Sequence, residues 1–487
     1  MAHSSSRRKF LKEGTVGAVA ALATGRVDAE DAGSNREPQG HSVADEYDGF
    51  SRYRPGRGND PESPFYLGKT VPGFRAAADG PASFLANDLG KLPWEMKNGA
   101  KEFHLVPQPV SREFLPGYWM NVYGFNGSMP GPTIEVNQGD RIRIIVHNEL
   151  PEDTTIHWHG FEMPVQFDGA STMTQNPIKP GKSFKYEFDV HEEGTFFYHS
   201  HNAMQEAFGM VGWMIVHPRK VWDPPVDRDF GVIFQNFRVD PMQTVSDSWN
   251  MDWNWHTING RSGPSATPLV CKHGERVRIR LLDFSPVQHH PIHMHGHTFW
   301  VTGHEGARIP KSAWIPRNNE LVAVAQAADF EFIANNPGDW MFHCHMTHHM
   351  MNHMVRHVGP RLREDATVGD YQANLDSRPR VKEHEDPKFG IPGYPQRMQG
   401  MSMSMETMKK LWSRREVQGM RATVMMAMHG LMTAVRVLPD DLYHRVMETE
   451  EDIPKGAIFK EIVRRYGNIE EYDDAPDDAM QQMMNPD

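Results

Sequence analysis

The tripeptide His343-Cys344-His345 contains the residue types with the most specific chemistry in this sequence. In a β-strand, neighbouring residues point to opposite faces and residues two apart share a face. Cys344 would therefore face one way, while His343 and His345 face the other. His349 and Met354 follow the cysteine at five and ten residues. A thiolate with two imidazoles and a weak thioether is the ligand set of a blue-copper electron-transfer site, so one strand could link that site to a second reducible centre.

Three further His-x-His pairs occur earlier in the chain: His157-Trp158-His159, His199-Ser200-His201 and His293-Met294-His295, the last preceded by His290. A single pair of this kind is weak evidence, because it is more often a structural surface or core pair. Four pairs at strand spacing, in order around a cysteine, indicate metal ligands, and imidazole suits copper.

In these motifs the chain resembles the multicopper oxidases, a family that includes the laccases. The stretch from Gly194 through His201 to Val216 is similar to the end of the family's first domain, and the resemblance covers roughly residues 106–360. Carried over by position, it implies a type 1 copper at His290, Cys344 and His349 with Met354 as axial ligand. It likewise implies a type 2 copper at His157 and His293, and a type 3 pair at His159, His199, His201, His295, His343 and His345.

The same resemblance implies a laccase-like oxidase with four copper ions per chain. Electrons from a small reducing substrate would enter at the type 1 site, pass through Cys344, and reduce O2 to water at the three-copper cluster. Asp168 resembles the family's proton-supplying carboxylate beside the type 2 copper, and an ordinary Asp-Gly turn is the alternative. His297 is expected to orient a ligand and not to bind metal itself.

The spacing of the motifs limits the number of domains. Only 88 residues separate His201 from His290, and a cupredoxin-like sandwich needs about 100 residues. No third such domain fits between them, so the chain resembles the two-domain laccases. In those relatives the cluster lies between the first domain of one chain and the second domain of the next. The resemblance therefore implies a homotrimer, since head-to-tail contacts must close into a ring.

The pattern of short alternating runs predicts an all-β fold. Runs such as residues 141–146 and 184–188, bounded by Pro-Gly turns, indicate two cupredoxin-like Greek-key β-sandwiches, at residues 106–225 and 226–360. A proline-rich linker at 361–400 and a helical, Met-rich C-terminal region at 401–487 are predicted to follow. In that region, apolar residues between positions 411 and 438 recur mostly every three or four positions, as in an amphipathic helix. Residues 442–447 and 458–466 are predicted to form two shorter helices.

The methionines of the C-terminal region have two interpretations. Met401-Ser-Met-Ser-Met405 could hold Cu(I) through thioether sulfurs. Methionine is also an adaptable core residue, and this interpretation is favoured for positions 420–432. For positions 398–408 both interpretations stay open.

The N-terminal residues predict where the protein is located in the cell. Residues 6–12, Ser-Arg-Arg-Lys-Phe-Leu-Lys, closely match the twin-arginine export signal. The weakly apolar stretch after them is shorter than the ~20 residues that span a bilayer. We expect a signal peptide at residues 1–29, export in the folded state, and a periplasmic or secreted protein. Residues 30–105, rich in Gly, Pro, Asp and Arg, are predicted to form an irregular N-terminal extension.

Composition excludes some partners. A net charge of −12 with a pI of about 6.1 argues against nucleic acid and against an anionic membrane surface, and no membrane span is expected. The chain has two cysteines. With Cys344 assigned to copper, Cys271 has no disulfide partner and is expected to be a small buried hydrophobic residue.

The substrate is the least determined feature. Met354 as axial ligand predicts a modest type 1 potential, which suits easily oxidised phenols, aromatic amines or Cu(I). Cuprous oxidation in copper tolerance is therefore a second candidate function. A copper nitrite reductase would also have two cupredoxins and a trimer, but its blue site lies in the first domain and it lacks four His-x-His pairs. A non-enzymatic copper-binding protein is opposed by the complete ligand set.

Overall fold

The computed structural model describes residues 82–239, 246, 251, 253, 255–350 and 405–467. The predicted signal peptide, the predicted linker and Met354 lie outside these ranges. Within them, strands far outnumber helices and form two β-sandwiches. This confirms the expected all-β fold with two cupredoxin-like domains.

The first half of the described chain consists mainly of strands of two to nine residues. In chain order they are β1 (Phe84–Leu85), β2 (Trp94–Lys97), β3 (Ala100–Leu105), β4 (Pro107–Leu115), β5 (Tyr118–Phe125), β6 (Gly131–Asn137), β7 (Arg141–His147), β8 (Ile156–His159), β9 (Ser183–Asp189), β10 (Gly194–Ser200) and β11 (Val211–His217).

The first sandwich contains two four-stranded sheets, with the orders β2-β3-β7-β9 and β6-β11-β10-β8, and the β4–β5 hairpin. In β7, Ile142, Ile144 and Val146 are buried in the core, and the residues between them are more exposed. This two-residue alternation is what a strand needs when one face covers a core. In the second sheet β8 and β10 are antiparallel, with His157 directly opposite His199, so the first two His-x-His pairs meet on neighbouring strands.

The second sandwich begins with β12. Its strands are β12 (Arg228–Phe237), β13 (Trp255–Ile258), β14 (Leu269–Lys272), β15 (Arg276–Asp283), β16 (His290–Met294), β17 (Phe299–His304), β18 (Ala307–Arg308), β19 (Ile315–Arg317), β20 (Asn319–Val322), β21 (Gln326–Ile333), β22 (Gly338–Cys344) and β23 (Met432–Leu438).

These strands form two sheets around one core. One sheet has the order β1-β12-β15-β21-β17-β18, with β13 on β12 and β19 on β17, and the other has the order β14-β23-β22-β16-β20. Cys344 is part of the buried cluster between them. β16 and β22 are antiparallel with His293 opposite His343, which repeats the β8–β10 arrangement of the first domain.

The helices of the described residues are short. They are α1 (Ala203–Ala207), α2 (Thr347–Met350), α3 (Met405–Trp412), α4 (Val424–Ala427), α5 (Asp440–Tyr443) and α6 (Ala457–Tyr466), with 3-10 turns at Val165–Phe167, Lys311–Ala313 and Arg415–Val417 and a π-helical turn at His444–Glu448. The two shorter helices predicted near residues 442–447 and 458–466 are therefore confirmed. Nowhere in the described ranges is a helix both long enough and apolar enough to cross a membrane.

Residues 84–105 differ from the predicted irregular extension. β1 pairs in parallel with β12 of the second domain, and β3 pairs in parallel with β7 of the first. Phe103 and Leu105 of β3 are fully buried. The prediction is wrong for this segment because the strands are short, and their stability comes from partners that are distant in the sequence.

The C-terminal region also differs from its prediction. Residues 432–438 form β23, which lies parallel to β14 and antiparallel to β22, and are not the end of a long helix. All seven residues of β23 are buried. A strand covered on both faces is apolar at nearly every position, so it also satisfies helical spacing, and the periodicity could not separate the two. β-branched Thr433, Val435 and Val437 favour the strand.

Candidate metal centres

Three side chains from β16, β22 and α2 converge on one buried point. Nδ1 of His290 is 3.1 Å from Nδ1 of His349, and Sγ of Cys344 is 3.4 Å from the same nitrogen of His349. One donor atom from each residue lies within 4.8 Å of the others. The three residues are between 0% and 2% exposed. This is the buried thiolate–imidazole set that the sequence predicted for the type 1 copper.

A hydrogen bond behind His290 fixes which ring nitrogen faces that point. Nε2 of His290 is 2.7 Å from Oγ of Ser285, so Nδ1 is the nitrogen that faces Cys344 and His349. Oδ1 of Asp283 accepts from the Ser285 backbone N–H at 2.8 Å and lies 3.7 Å from Nε2 of His290. Burial raises the pKa of the Asp283 carboxyl. Sequence reasoning missed both residues, for which the available signal was their place at the end of β15, just before His290.

His256, on β13, supports the other imidazole. Its ring stacks on that of His349, with centroids 4.7 Å apart and an interplanar angle of 30°. Its Nδ1 lies 2.8 Å from Oδ1 of Asn236 on β12. His256 is fully buried and sequence reasoning missed it, because it belongs to no His-x-His pair.

Burial determines the protonation states of His290, Cys344 and His349 when no metal is bound. It raises the pKa of the Cys344 thiol to about 12 and lowers the pKa of His349 to about 4, and it lowers the pKa of His290 as well. The imidazoles are therefore neutral and ready to bind a metal at pH 7, while the thiol keeps its proton until a cation arrives. Metal binding must release that proton.

The first domain gathers four histidines at one end of its second sheet. Nδ1 of His159 is 3.4 Å from Nε2 of His199. The ring centroid of His157 lies 5.4, 5.3 and 5.6 Å from those of His159, His199 and His201. His157, His159 and His199 have donor atoms close enough to share a metal ion. His201 is exposed at the rim.

The second domain gathers another four in the same way. Nε2 of His295 is 3.0 Å from Nε2 of His343. The ring centroid of His293 lies 4.7, 5.6 and 5.5 Å from those of His295, His343 and His345. His345 is exposed, as His201 is in the first domain.

Backbone carbonyls orient several of these rings. The Nδ1 atoms of His199 and His343 lie 2.8 and 2.7 Å from the carbonyl oxygen of the residue that follows each of them. Nδ1 of His157 lies 2.7 Å from the carbonyl oxygen of Asp168. Because Nδ1–H donates to a carbonyl in each case, Nε2 is the nitrogen left for metal.

The eight histidines predicted for the three-copper cluster form two separate sets of four. In the described part of the chain, no group of neighbouring donor atoms combines histidines of both domains. Each set has one exposed imidazole at its edge, His201 in one and His345 in the other. A single chain therefore presents these two sets, the half-sites of the predicted cluster, apart from each other.

Asp168 lies beside the first set of histidines. Its Oδ1 is 3.5 Å from Nδ1 of His157. The following Gly169 has φ +87°, and a Cβ there would overlap the carbonyl oxygen of Ile156. The segment is thus an Asp-Gly turn that also places a carboxylate next to a ligand, so the two interpretations of this sequence are compatible.

Glu206, in α1, is a second carboxylate that sequence reasoning missed. Its Oε1 lies 3.6 Å from Nδ1 of His199. Burial raises its pKa to about 7. The signal for it was its position five residues after His201, in the short helix that follows β10.

Three other predicted residues have different outcomes. His297 is buried, and its Nδ1 lies 3.4 Å from the carbonyl oxygen of His295, a position behind a ligand. Cys271 is fully buried and forms no disulfide. Met354 lies outside the described residues, so its role as axial ligand stays a prediction.

The donor chemistry fits copper. The site of His290, Cys344 and His349 combines a thiolate with two imidazoles in the buried core, and blue-copper sites use this set of ligands. The other two sets offer imidazole alone, which suits copper but is also accepted by zinc and iron. The thiolate site is therefore the more selective of the two kinds.

Comparisons with known proteins agree with this geometry. Two family models, both described as multicopper oxidase, match residues 108–221 and 236–361. Laccase-1 of Cryptococcus neoformans var. grubii is 40% identical over 131 residues, which are 24% of this chain and 21% of that protein. Copper resistance protein A of Escherichia coli is 37% identical over 173 residues, which are 36% of this chain and 28% of that protein. The chain thus spans well under half the length of these two relatives.

Solved structures are also similar. The crystal structure of a blue copper oxidase from Nitrosomonas europaea is 29% identical, covers 51% of this chain and 80% of that one, and gives a TM-score of 0.47. The two family models match consecutive segments, and each segment contains one set of four histidines. Since both sandwiches match the same family and the second brings His290, Cys344 and His349 together, the chain belongs to the multicopper oxidase family.

Proposed function

We propose that this chain is a laccase-like oxidase, which takes electrons one at a time from a small reducing substrate and uses them to reduce O2 to water. One observation carries the proposal. Cys344 shares a buried site with His290 and His349, while the residue before it, His343, belongs to the set with His293 and His295. A single peptide unit therefore joins the two kinds of site.

The residues of the chain prepare this arrangement before any metal arrives. Copper, when bound, would supply reversible one-electron chemistry at the thiolate site and four-electron storage for O2 reduction. The core around Cys344 excludes water from the thiolate. Ser285 holds His290 in one orientation, and the carbonyl of Cys344 accepts from Nδ1 of His343 at 2.7 Å, which fixes the ring that leads to the second site.

Oxygen consumption tests the proposal. Copper-loaded full-length protein is mixed with dimethoxyphenol, and O2 uptake and hydrogen peroxide are followed together. We expect O2 uptake without accumulation of peroxide. Absence of O2 uptake with phenols, aromatic amines and Cu(I) alike would contradict the proposal, and nitrite turnover in its place would favour a nitrite reductase.

We also propose that the three-copper cluster forms between chains of a homotrimer. Both half-sites face solvent in the single chain, through His201 and His345. Large apolar side chains near both in the sequence are exposed: Met173, five residues after Asp168, is 87% exposed, and Met346, next to His345, is 42% exposed. Joining the two halves head to tail would cover these side chains and complete the set of eight imidazoles, and such contacts close only in a ring.

For Asp168 we propose a role in delivering protons to reduced oxygen. The support is its carboxylate 3.5 Å from Nδ1 of His157. Asp168→Asn should slow O2 reduction at saturating donor while the donor still reduces the thiolate site at its normal rate. Asp153→Asn is the matched control, since Asp153 pairs with Lys179 at the surface. Equal rates in wild type and Asp168→Asn would contradict the role.

Oxidation of Cu(I) is a second candidate activity. It is favoured by the similarity to a protein named copper resistance protein A and by the methionines of the C-terminal region. Met420, Met425 and Met428 are buried in a cluster, as expected for core residues, which leaves Met401, Met403 and Met405 as candidates for holding Cu(I). Replacing these three by leucine should lower kcat/KM for Cu(I) but not for dimethoxyphenol, and an equal effect on both donors would contradict a Cu(I)-specific role.

The proposed location is the periplasm or the exterior of a bacterial cell. The support is the pair Arg7-Arg8 in a twin-arginine-like signal. Replacing both arginines by lysine should retain the protein in the cytoplasm, as detected by cell fractionation. Unchanged export would contradict the twin-arginine route.

A further inference from the structure

β23 brings a segment of the C-terminal region to the strand that carries the copper ligands. It lies antiparallel to β22, with Met432 opposite His343 and Thr433 opposite Phe342. On its other side it lies parallel to β14. On the β23 side, the residues that flank Cys344 in the sheet therefore come from beyond the predicted linker, while Ile292 of β16 flanks it on the other side.

Leu431, the residue before β23, lies directly across from Cys344. The backbone N–H of Cys344 donates to the carbonyl of Leu431 at 3.0 Å, and the N–H of Leu431 donates to the carbonyl of His349 at 3.2 Å. One step beyond the His343–Met432 pair, the strand register places Leu431 opposite Cys344. Opposite residues of an antiparallel pair point to the same face, with Cβ atoms about 4.5–5.5 Å apart.

Burial agrees with this register. Leu431 is fully buried and belongs to the same apolar cluster as Cys344 and Val435. Met432, the next residue, packs in a separate cluster on the opposite side of the strand. Gly430 has φ +50°, and a Cβ there would overlap the carbonyl oxygen of His349. Of the three consecutive residues Gly430, Leu431 and Met432, Leu431 is therefore the one whose side chain lies on the same face as the Cys344 thiol.

We propose that Leu431 occupies the axial side of the thiolate copper site, in place of the thioether that sequence spacing assigned to Met354. This inference rests on the proposed function. The strand register and the two backbone hydrogen bonds that join Leu431 to Cys344 and His349 support it.

An aliphatic axial residue changes the class of substrate. At the axial position of a thiolate copper site, a thioether donates electron density that lowers the potential, whereas a leucine side chain offers no lone pair and keeps water away. The reduction potential of the site is then higher than with methionine. The site should accept electrons from phenols without activating methoxy groups, in addition to the easily oxidised donors expected from Met354.

Substitutions at the two positions separate the assignments. The series Leu431→Met and Leu431→Gln adds first a thioether and then an amide oxygen, and Leu431→Ile keeps the site aliphatic. Met354→Leu removes the competing thioether. Val435→Met is the matched control, because it adds the same side chain to the same face of the strand four residues further along, opposite Trp340. The potential and the Cu(II) EPR spectrum are measured in each copper-loaded full-length variant.

We expect the potential to fall in Leu431→Met and to fall further in Leu431→Gln, with a changed EPR spectrum in both. Leu431→Ile, Met354→Leu and Val435→Met should keep the wild-type potential. A higher potential in Met354→Leu, or an unchanged potential and EPR spectrum in both Leu431→Met and Leu431→Gln, would overturn the assignment. Wild-type protein without a blue band would instead contradict the proposed function, so the two failures are distinguishable.

Discussion

At the scale of single residues, function depends on which nitrogen of each imidazole faces the metal. His290 presents Nδ1, because Ser285 contacts its Nε2. His157, His199 and His343 present Nε2, because backbone carbonyls accept from their Nδ1 atoms. The sequence could identify these histidines from their spacing. It could not predict the nitrogens, since the partners that select them come from other parts of the fold.

The hydrogen bond between Ser285 and His290 gives a prediction about copper affinity. Ser285→Ala removes the partner of Nε2, so His290 loses its fixed orientation. We expect a loss of copper affinity at the thiolate site of about 10–100-fold, measured by competition with a chelator. Ser265→Ala is the control, since Ser265 is also buried but donates to the carbonyl of Phe114. Equal affinity in both variants would contradict the prediction.

Buried histidines predict how the stability of the copper-free protein depends on pH. Burial lowers the pKa of His199 to about 3 and the pKa values of His297 and His349 to about 4, whereas the unfolded chain titrates near 6.5. Between these values the unfolded state binds more protons than the folded state. The contribution of these histidines to the free energy of unfolding is therefore fully present above pH 6.5, and it decreases as the pH falls towards 4. Urea unfolding midpoints across this range measure the effect.

His297→Gln is the matched variant for that experiment. His297 lies behind His295 and outside the groups of neighbouring donor atoms. Removing it should lower the number of protons taken up on unfolding by about one, and the slope of the free energy of unfolding against pH should decrease accordingly. A slope equal to that of the wild type, or a midpoint constant from pH 6.5 to 4.5, would show that these pKa shifts do not control the stability.

At the scale of elements, the same device appears twice: two antiparallel strands place His-x-His pairs opposite each other. β8 and β10 form it in the first domain, and β16 and β22 form it in the second. Sequence alternation predicted these strands well, because each motif contains its own two-residue period. It did not predict β23, whose place is set by β14 and β22 and not by its own pattern. Truncation at Gly400 would therefore remove a strand of the second domain as well as the methionines.

Gly430 gives a prediction at this scale, because it lies where the chain enters β23 beside the copper ligands. In Gly430→Ala the new side chain would sit on a residue with φ +50°, which is unfavourable for alanine, and its Cβ would overlap the carbonyl oxygen of His349. We expect a loss of stability greater than about 1 kcal/mol and a weaker blue band. Gly456→Ala is the control: φ is +78° there, but the nearest atom is Cε of Lys460 at 3.7 Å. It should lose stability and keep the blue band, and a normal band in Gly430→Ala would contradict the predicted effect on the site.

At the scale of the whole molecule, the spacing of the motifs was enough to predict two domains, but not how the half-sites meet. The two sets of histidines stay separate in one chain. The domains are instead joined elsewhere: Oγ of Thr195 lies 2.8 Å from the carboxylate of Asp329, and Arg280 donates to the same hydroxyl. Because this junction does not bring the half-sites together, the proposed cluster requires a neighbouring chain.

Complementation between variants tests this proposal. His157→Ala disables the half-site of the first domain, and His343→Ala disables that of the second. Each variant alone should be inactive. Co-expressed, they should recover part of the oxidase activity, because an intact first domain can meet an intact second domain in a mixed ring. No recovery, in mixed oligomers shown by differential tagging to have formed, would contradict a cluster shared between chains.

Comparing wild type with Cys344→Ser after copper loading, by counting copper and recording the visible spectrum, tests most directly whether this thiolate binds copper. We expect about four copper ions per chain and a band at about 600 nm in the wild type. In Cys344→Ser we expect the loss of about one ion, of the band and of phenol oxidation, with the circular dichroism of the fold retained. A colourless wild type, or a band that survives in Cys344→Ser, would show that Cys344 does not bind copper.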